Sequence, residues 1–152
     1  MPGRVLNEMC AHALETLPEE CCGLVTGCNG SRFRSVYRCR NMMTLQHRSD
    51  PVAYPRDGRE AYYMSEVDYL KAQKDAQERG EVVTAVYHSH VAAGAYLSEM
   101  DREHAEHELF PFPDAAQIVL AVGEGKVVEV GIFDCSPGAD AVSGRRVEAD
   151  AS

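Results

Sequence analysis

Leu6, Met9, Cys10, Ala13, Leu14 and Leu17 recur at spacings of three and four, the repeat of an apolar stripe on a helix that ends ahead of Pro18. Such a helix must pack on something apolar. Next, "CCGLVTG" is a short apolar run, "CNGS" carries an Asn-Gly turn signal and "RFRSVYRCR" is strand-like, so residues 21–40 form a predicted hairpin. On its second strand Arg32, Arg34, Arg38 and Arg40 share one parity, which sends all four to one face, either as a solvated outer surface or as a contact for an acidic partner. Residues 47–60, with two prolines and a glycine among charges, read as a long loop.

The second half of the chain alternates in the same way. "MSEVDYLKAQKDAQERG" offers Ser65 as N-cap with Asp68 three residues on, a Met64 to Tyr69 staple, and Gly80 as the stop of a second helix. "EVVTAVYH" is apolar on both parities and rich in β-branched residues, the pattern of a central strand covered on both faces, and it ends at a pair of histidines. A third helix begins at Ser98 and stops before Pro111, and "AAQIVLAV", "GEG" and "KVVEVGIF" make a closing strand, turn and strand. These elements predict an α/β fold. They lie within an expected domain of residues 1–133, followed by a polar tail over 134–152.

At 152 residues the chain has the length of one domain. A formal charge of −9 and a pI near 5.1 argue against nucleic acid and against anionic membrane surfaces as partners, since phosphate contacts need a positive surface. No segment reaches the ~20 apolar residues of a membrane span, and the N-terminus lacks a signal peptide's apolar core, so a cytoplasmic location is expected. The six cysteines form no CxxC pair and are expected as free, mostly buried thiols.

The stretch "YHSHVAAGAYLSEMDREHA" changes this bland picture. On an extended strand His88 and His90 point to one side and Ser89 to the other, so one small ion can meet both imidazoles at ~2.0–2.1 Å. Asp101 can supply a third ligand if the intervening loop folds the next helix's first turn back over the strand end. The same Ser98 and Asp101 are also an S-x-x-D capping box, and taken alone that reading is the stronger. A hydrolytic centre would further need a proton acceptor, and the residues by themselves do not choose between Glu19 and Glu20. His104 and His107 read as solvated. Cys22 reads as core.

Taken together, Glu20-x-x-Gly23 and His88-Ser89-His90, seven residues, Ser98, two residues, Asp101 resemble the JAMM motif of the MPN (Mov34/JAB1) zinc metalloproteases, bacterial single-domain branch. The likeness extends over residues 3–133. It implies an MPN-like (cytidine-deaminase-like) mixed sheet with helices on both sides and a metal site at the end of the central strand. It implies Zn²⁺ held by His88, His90 and Asp101, Glu20 as acid/base, and Ser98 as partner of the developing oxyanion. It implies a ubiquitin-like or sulfur-carrier protein as substrate, cut at its C-terminus. One departure stands out: Val91 follows the second histidine where prokaryotic members usually carry proline, which touches loop stiffness rather than ligation.

Three other classes fit parts of the pattern. A non-catalytic scaffold of the same fold would bind a ubiquitin-like partner without cutting it. Two histidines and a carboxylate also describe the facial triad of non-haem iron oxygenases, although those usually begin H-x-D/E. A cysteine hydrolase has thiols to draw on but no local signature.

Overall fold

The computed structural model describes residues 1–96, 98–106, 110–134 and 143–146. Its frame is one sheet. Strand β3 (Val82–Val91) lies in the middle, antiparallel to β1 (Cys22–Cys28) and parallel to β4 (Ala116–Gly123). With β2 (Ser31–Cys39), β5 (Lys126–Asp134) and the short β6 (Ser143–Arg146), the strand order is β2-β1-β3-β4-β5-β6. The sheet is therefore mixed, as expected. Both predicted hairpins form: β1 pairs with β2 and β4 with β5. β6 falls within the stretch expected as a tail, where residues 143–146 pair with β5; the rest of that stretch beyond Asp134 lies outside the described residues.

Helices cover both faces. Helix α1 (Gly3–Thr16) lays Val5, Leu6, Met9 and Ala13 on Val25, Ala85, Tyr87, Ile118 and Leu120. Helix α3 (Glu66–Glu78) lies on the other face, where Ala72 packs with Cys22, Leu24, Cys39, Val86, Phe110 and Phe112. The period of two along β3 decides which residue meets which layer. Ala85, Tyr87 and Ser89 belong to the α1 side, and Val86, His88 and His90 to the α3 side.

The ends of α3 are those the residues foretell: Ser65 Oγ accepts from the Asp68 backbone N–H, and Gly80 follows the helix at a positive φ of 72°. Two expectations need correction. The stripe of α1 is rotated from the one read off its leucines, so that Leu14 is 36% exposed while His12 is buried at 8%. The 3.6-residue repeat carries positions 5, 9, 12 and 13 onto the sheet, and an apolar count overlooks the histidine among them. The loop expected over 47–60 begins later, because Met43–Ser49 forms helix α2. None of its residues is buried, so no apolar stripe marks it; its start is held instead by Asn41 Oδ1, which accepts from the Met43 N–H at 2.9 Å.

The arginine strip of β2 is largely neutralised within the chain. Arg32 pairs with Asp134 (2.5 Å), Arg38 with Glu8 and Glu15 of α1, and Arg40 with Asp68 of α3 (2.9 Å). The Arg38 and Arg40 pairs bind strand to helix, the Arg32 pair binds β2 to β5, and together they leave little charge for a partner.

Candidate metal centre

The polar cluster lies at the C-terminal end of β3. Helix α4 (Glu99–Glu106) brings Asp101 there from its first turn. His88 Nε2 and His90 Nε2 are 3.2 Å apart, and each is 3.1 Å from Asp101 Oδ2. The spacing required by tetrahedral zinc can be worked out independently: bonds of ~2.0–2.1 Å set ligand atoms about 3.3 Å apart. Three donors of the right type at nearly that separation fit a small divalent cation.

The proton inventory supports the same fit. His90 Nδ1 donates to the Gly94 carbonyl at 3.0 Å, so in the neutral ring the proton sits on Nδ1 and Nε2 is the lone pair that ligation needs. Asp101 Oδ2 accepts from whichever imidazole carries a proton on Nε2, and a cation at that point would take the place of those protons. His88 Nδ1 is fully buried with no hydrogen-bond partner. Burial disfavours the Asp101 carboxylate, yet the His88 charge and bonds from His88, His90 and Ser98 outweigh it and hold its pKa far below the usual range. Burial likewise works against a charged His90, but its bonds to Asp101 and Gly94 prevail and raise its pKa.

Neighbours fix each ring. Tyr62 stacks on His88 with centroids 4.6 Å apart and planes 27° from parallel, and Tyr96 meets His90 edge-on at 5.3 Å. Ser89 points the other way, as its parity requires: its Oγ accepts from the Cys21 N–H at 2.8 Å, and its own N–H donates to the Cys21 carbonyl at 3.1 Å. This clamp ties the start of β1 beside β3. Gly23, three residues after Glu20, lies across from Tyr87, where a Cβ would overlap the tyrosine ring and the Tyr37 carbonyl.

The two candidate acids separate cleanly. Glu19 accepts from Thr44 Oγ1 at 2.6 Å, away from the triad. Glu20 is only 5% exposed and lines a cavity of about 220 Å³ together with His90, Ser98 and Asp101. Burial pushes its pKa up to about 8, with His90 opposing and Asp101 adding. Ser98 and Asp101 form the capping box as well: Asp101 N–H donates to Ser98 Oγ and Ser98 N–H donates to Asp101 Oδ2, both at 3.1 Å. The two readings of this pair are compatible, because neither bond of the box uses the Ser98 hydroxyl as a donor.

Cys22 is fully buried in the α3-side core, and burial pushes its thiol well above the ordinary range; Cys21 and Cys39 rise to about 12 for the same reason. Buried thiols of this kind make poor nucleophiles. The side chain of His104 and the whole of His107 lie outside the described residues. Sequence reasoning missed Tyr62, Arg56 and Arg59, which sit in an aperiodic loop. A larger cavity of about 500 Å³, lined by Tyr54, Tyr63, Tyr69 and Phe112, has Tyr62 as a wall and no cluster of ligating groups.

The family model for prokaryotic homologs of the JAB domain matches residues 2–134. Tail tip assembly protein K of Escherichia phage N15 is 30% identical over 145 residues, which span 89% of this chain and 52% of the phage protein. The CysO-cysteine peptidase of Mycobacterium tuberculosis is 29% identical over 117 residues, 77% of this chain and 68% of that protein. The chain thus matches about half the length of the phage relative. Among solved structures, a Desulfitobacterium hafniense protein superposes with a TM-score of 0.72 at 24% identity, covering 99% of this chain and 92% of that one. A Salinibacter ruber protein gives 0.64 at 25% identity, covering 98% and 90%. These share the fold.

Proposed function

The chain belongs to the family of prokaryotic JAB-domain proteins, and from that membership and the geometry of its site we propose that it is a zinc-dependent peptidase or isopeptidase. Its substrate on this reading is a ubiquitin-like or sulfur-carrier protein, cut at the C-terminus. The observation that carries the reading is the convergence of His88 Nε2, His90 Nε2 and Asp101 Oδ2 at 3.1–3.2 Å beside a buried carboxyl group. The mycobacterial relative, a CysO-cysteine peptidase, supports the substrate class.

His88, His90 and Asp101 would hold the ion. Zn²⁺ bound there supplies Lewis acidity, polarising the scissile carbonyl and acidifying water toward a pKa of about 7. The chain's own groups carry the protons. Glu20 accepts one from the attacking water and delivers it to the departing nitrogen as the C–N bond breaks and the water oxygen joins the acyl carbon. Ser98 donates its hydroxyl proton to the oxyanion while its backbone N–H keeps Asp101 aimed. The Gly94 carbonyl holds His90 in the tautomer that ligation needs.

The test is incubation of the zinc-loaded protein with ubiquitin-like and sulfur-carrier proteins bearing C-terminal extensions, with the broken bond located by mass spectrometry. Binding without cleavage at any zinc level would make the protein a scaffold. Stoichiometric iron in protein purified without added metal would point to oxygenase chemistry instead.

A further inference from the structure

The cavity beside Glu20 contains a cation that the hydrolytic reading does not use. Arg56 and Arg59 both line it, on a chain whose formal charge is −9. Arg59 is committed: its Nη2 and Nε donate to Asp57 Oδ2 at 2.8 and 3.1 Å. Arg56 makes no ion pair or hydrogen bond with any described residue, although Glu60 lines the same cavity. Its charge nevertheless reaches Glu20, where it favours the carboxylate.

The segment bearing Arg56 is anchored to the site at several points. The Gly58 carbonyl accepts from the Glu20 N–H at 2.7 Å, the Gly58 N–H donates to Thr44 Oγ1 at 2.9 Å, and Asn41 Nδ2 donates to the Glu20 and Ala61 carbonyls at 2.9 and 3.1 Å. The loop and the acid are thus one hydrogen-bonded unit. Arg56 is exposed, stands two residues from that anchor and lines the same cavity as Glu20.

We propose that Arg56 is a specificity-determining residue that binds the free α-carboxylate on the leaving side of the broken bond. This rests on the proposed hydrolysis, in which Glu20 protonates the leaving nitrogen. The groups around Glu20 therefore face the leaving side of the broken bond. In an α-amino acid the carboxylate oxygens stand about 3 Å from that nitrogen, so an anion receptor beside the proton donor suits a free amino acid. A lysine in an isopeptide has no carboxylate there. A cavity of about 220 Å³ has room for one such residue, and a guanidinium meets a carboxylate with two parallel hydrogen bonds.

The experiment titrates the protein, with and without zinc, against labelled peptides ending Gly-Gly-Ala as the free acid, Gly-Gly-Ala as the amide, and Gly-Gly-Asp as the amide, reading fluorescence anisotropy. The free acid should bind roughly ten- to hundredfold tighter than either amide. That preference should vanish in Arg56→Ala and return in part in Arg56→Lys. Equal binding of acid and amide, or a preference that survives Arg56→Ala, overturns the proposal. Tight binding of the Asp amide overturns it too, since the receptor would then read an acidic side chain. Cleavage of the same peptides is scored separately. Loss of the hydrolytic reading shows as no cleavage with the acid preference intact, whereas loss of the carboxylate receptor shows as no preference whether or not cleavage occurs.

Discussion

Two sites of buried imidazole flank strand β3, one on each face, and they are built on opposite rules. Under α1, His12 Nδ1 lies 2.7 Å from the Tyr87 hydroxyl, and the two rings meet edge-on at 5.8 Å. Burial lowers the His12 pKa to about 4, with Arg38 acting in the same direction, so the ring is neutral and has one satisfied bond. On the other face His88 and His90 turn their Nε2 atoms toward each other and toward a single carboxylate oxygen. The first arrangement is complete within the chain. The second gathers the ligating atoms of His88, His90 and Asp101 around one point, an arrangement that a divalent cation would complete. Burial alone therefore does not mark a candidate metal ligand; convergence of ligating atoms does.

The contrast is broken most severely at Glu20. Glu20→Gln keeps the volume and removes the proton acceptor, so cleavage should fall by about 10²–10⁴-fold while bound zinc is unchanged. Single-turnover kinetics with metal analysis on the same sample check both halves, and a variant with parental turnover would remove Glu20 from the scheme. Ser98→Ala comes next. As the main oxyanion donor it should cost ~2.7–4 kcal/mol of transition-state stabilisation. A loss of tenfold or less in kcat would reduce Ser98 to its capping role, worth roughly 1 kcal/mol of stability. Asp101→Asn should weaken zinc binding by about 100-fold or more in a competitive chelator titration, and His12→Gln should leave that affinity untouched.

Much of the second site is legible along the chain, because it depends on periods. His88 and His90 share a strand face by parity, and Ser98 and Asp101 share a helical turn by spacing. The choice of Glu20 over Glu19 is not legible this way. Both flank the start of β1, and what separates them is a tertiary partner, Thr44, that takes Glu19 out of the cavity. The first site is hidden for a related reason. His12 interrupts an otherwise apolar stripe and Tyr87 sits in an otherwise apolar strand, so each looks like an ordinary core position until α1 is docked. Arg56, Tyr62 and helix α2 depend on side-chain bonds from Asn41 and Thr44, which no repeat announces.

Stability against pH sharpens the comparison from the opposite direction. In the metal-free protein the Glu20 pKa of about 8 stands above the ordinary 4.5 that an unfolded chain presents. A group raised on folding lends its stability fully below the lower value, and that stability is lost as pH rises to the upper one. Glu20→Gln should therefore be more stable than the parent above pH 8 by roughly 1–3 kcal/mol, with the gap closing toward pH 4.5. Denaturant titrations in chelator at the two extremes check this; a gap that widened on acidification would reverse the sign and sink the assignment of a buried, protonated Glu20.

The smallest effect belongs to the completed site. Tyr87→Phe retains the ring that packs over Gly23 and removes only the hydroxyl, so the core keeps its shape and His12 Nδ1 loses its partner. An unsatisfied buried polar group costs roughly 1–3 kcal/mol, and the midpoint of chemical denaturation should shift accordingly. Tyr87 and His88 are adjacent yet face opposite layers, so zinc affinity should stay at the parental value. If the substitution weakened zinc by as much as Asp101→Asn does, the two faces of β3 would be coupled through the strand, and the division between a closed site and an ion-demanding one would no longer hold.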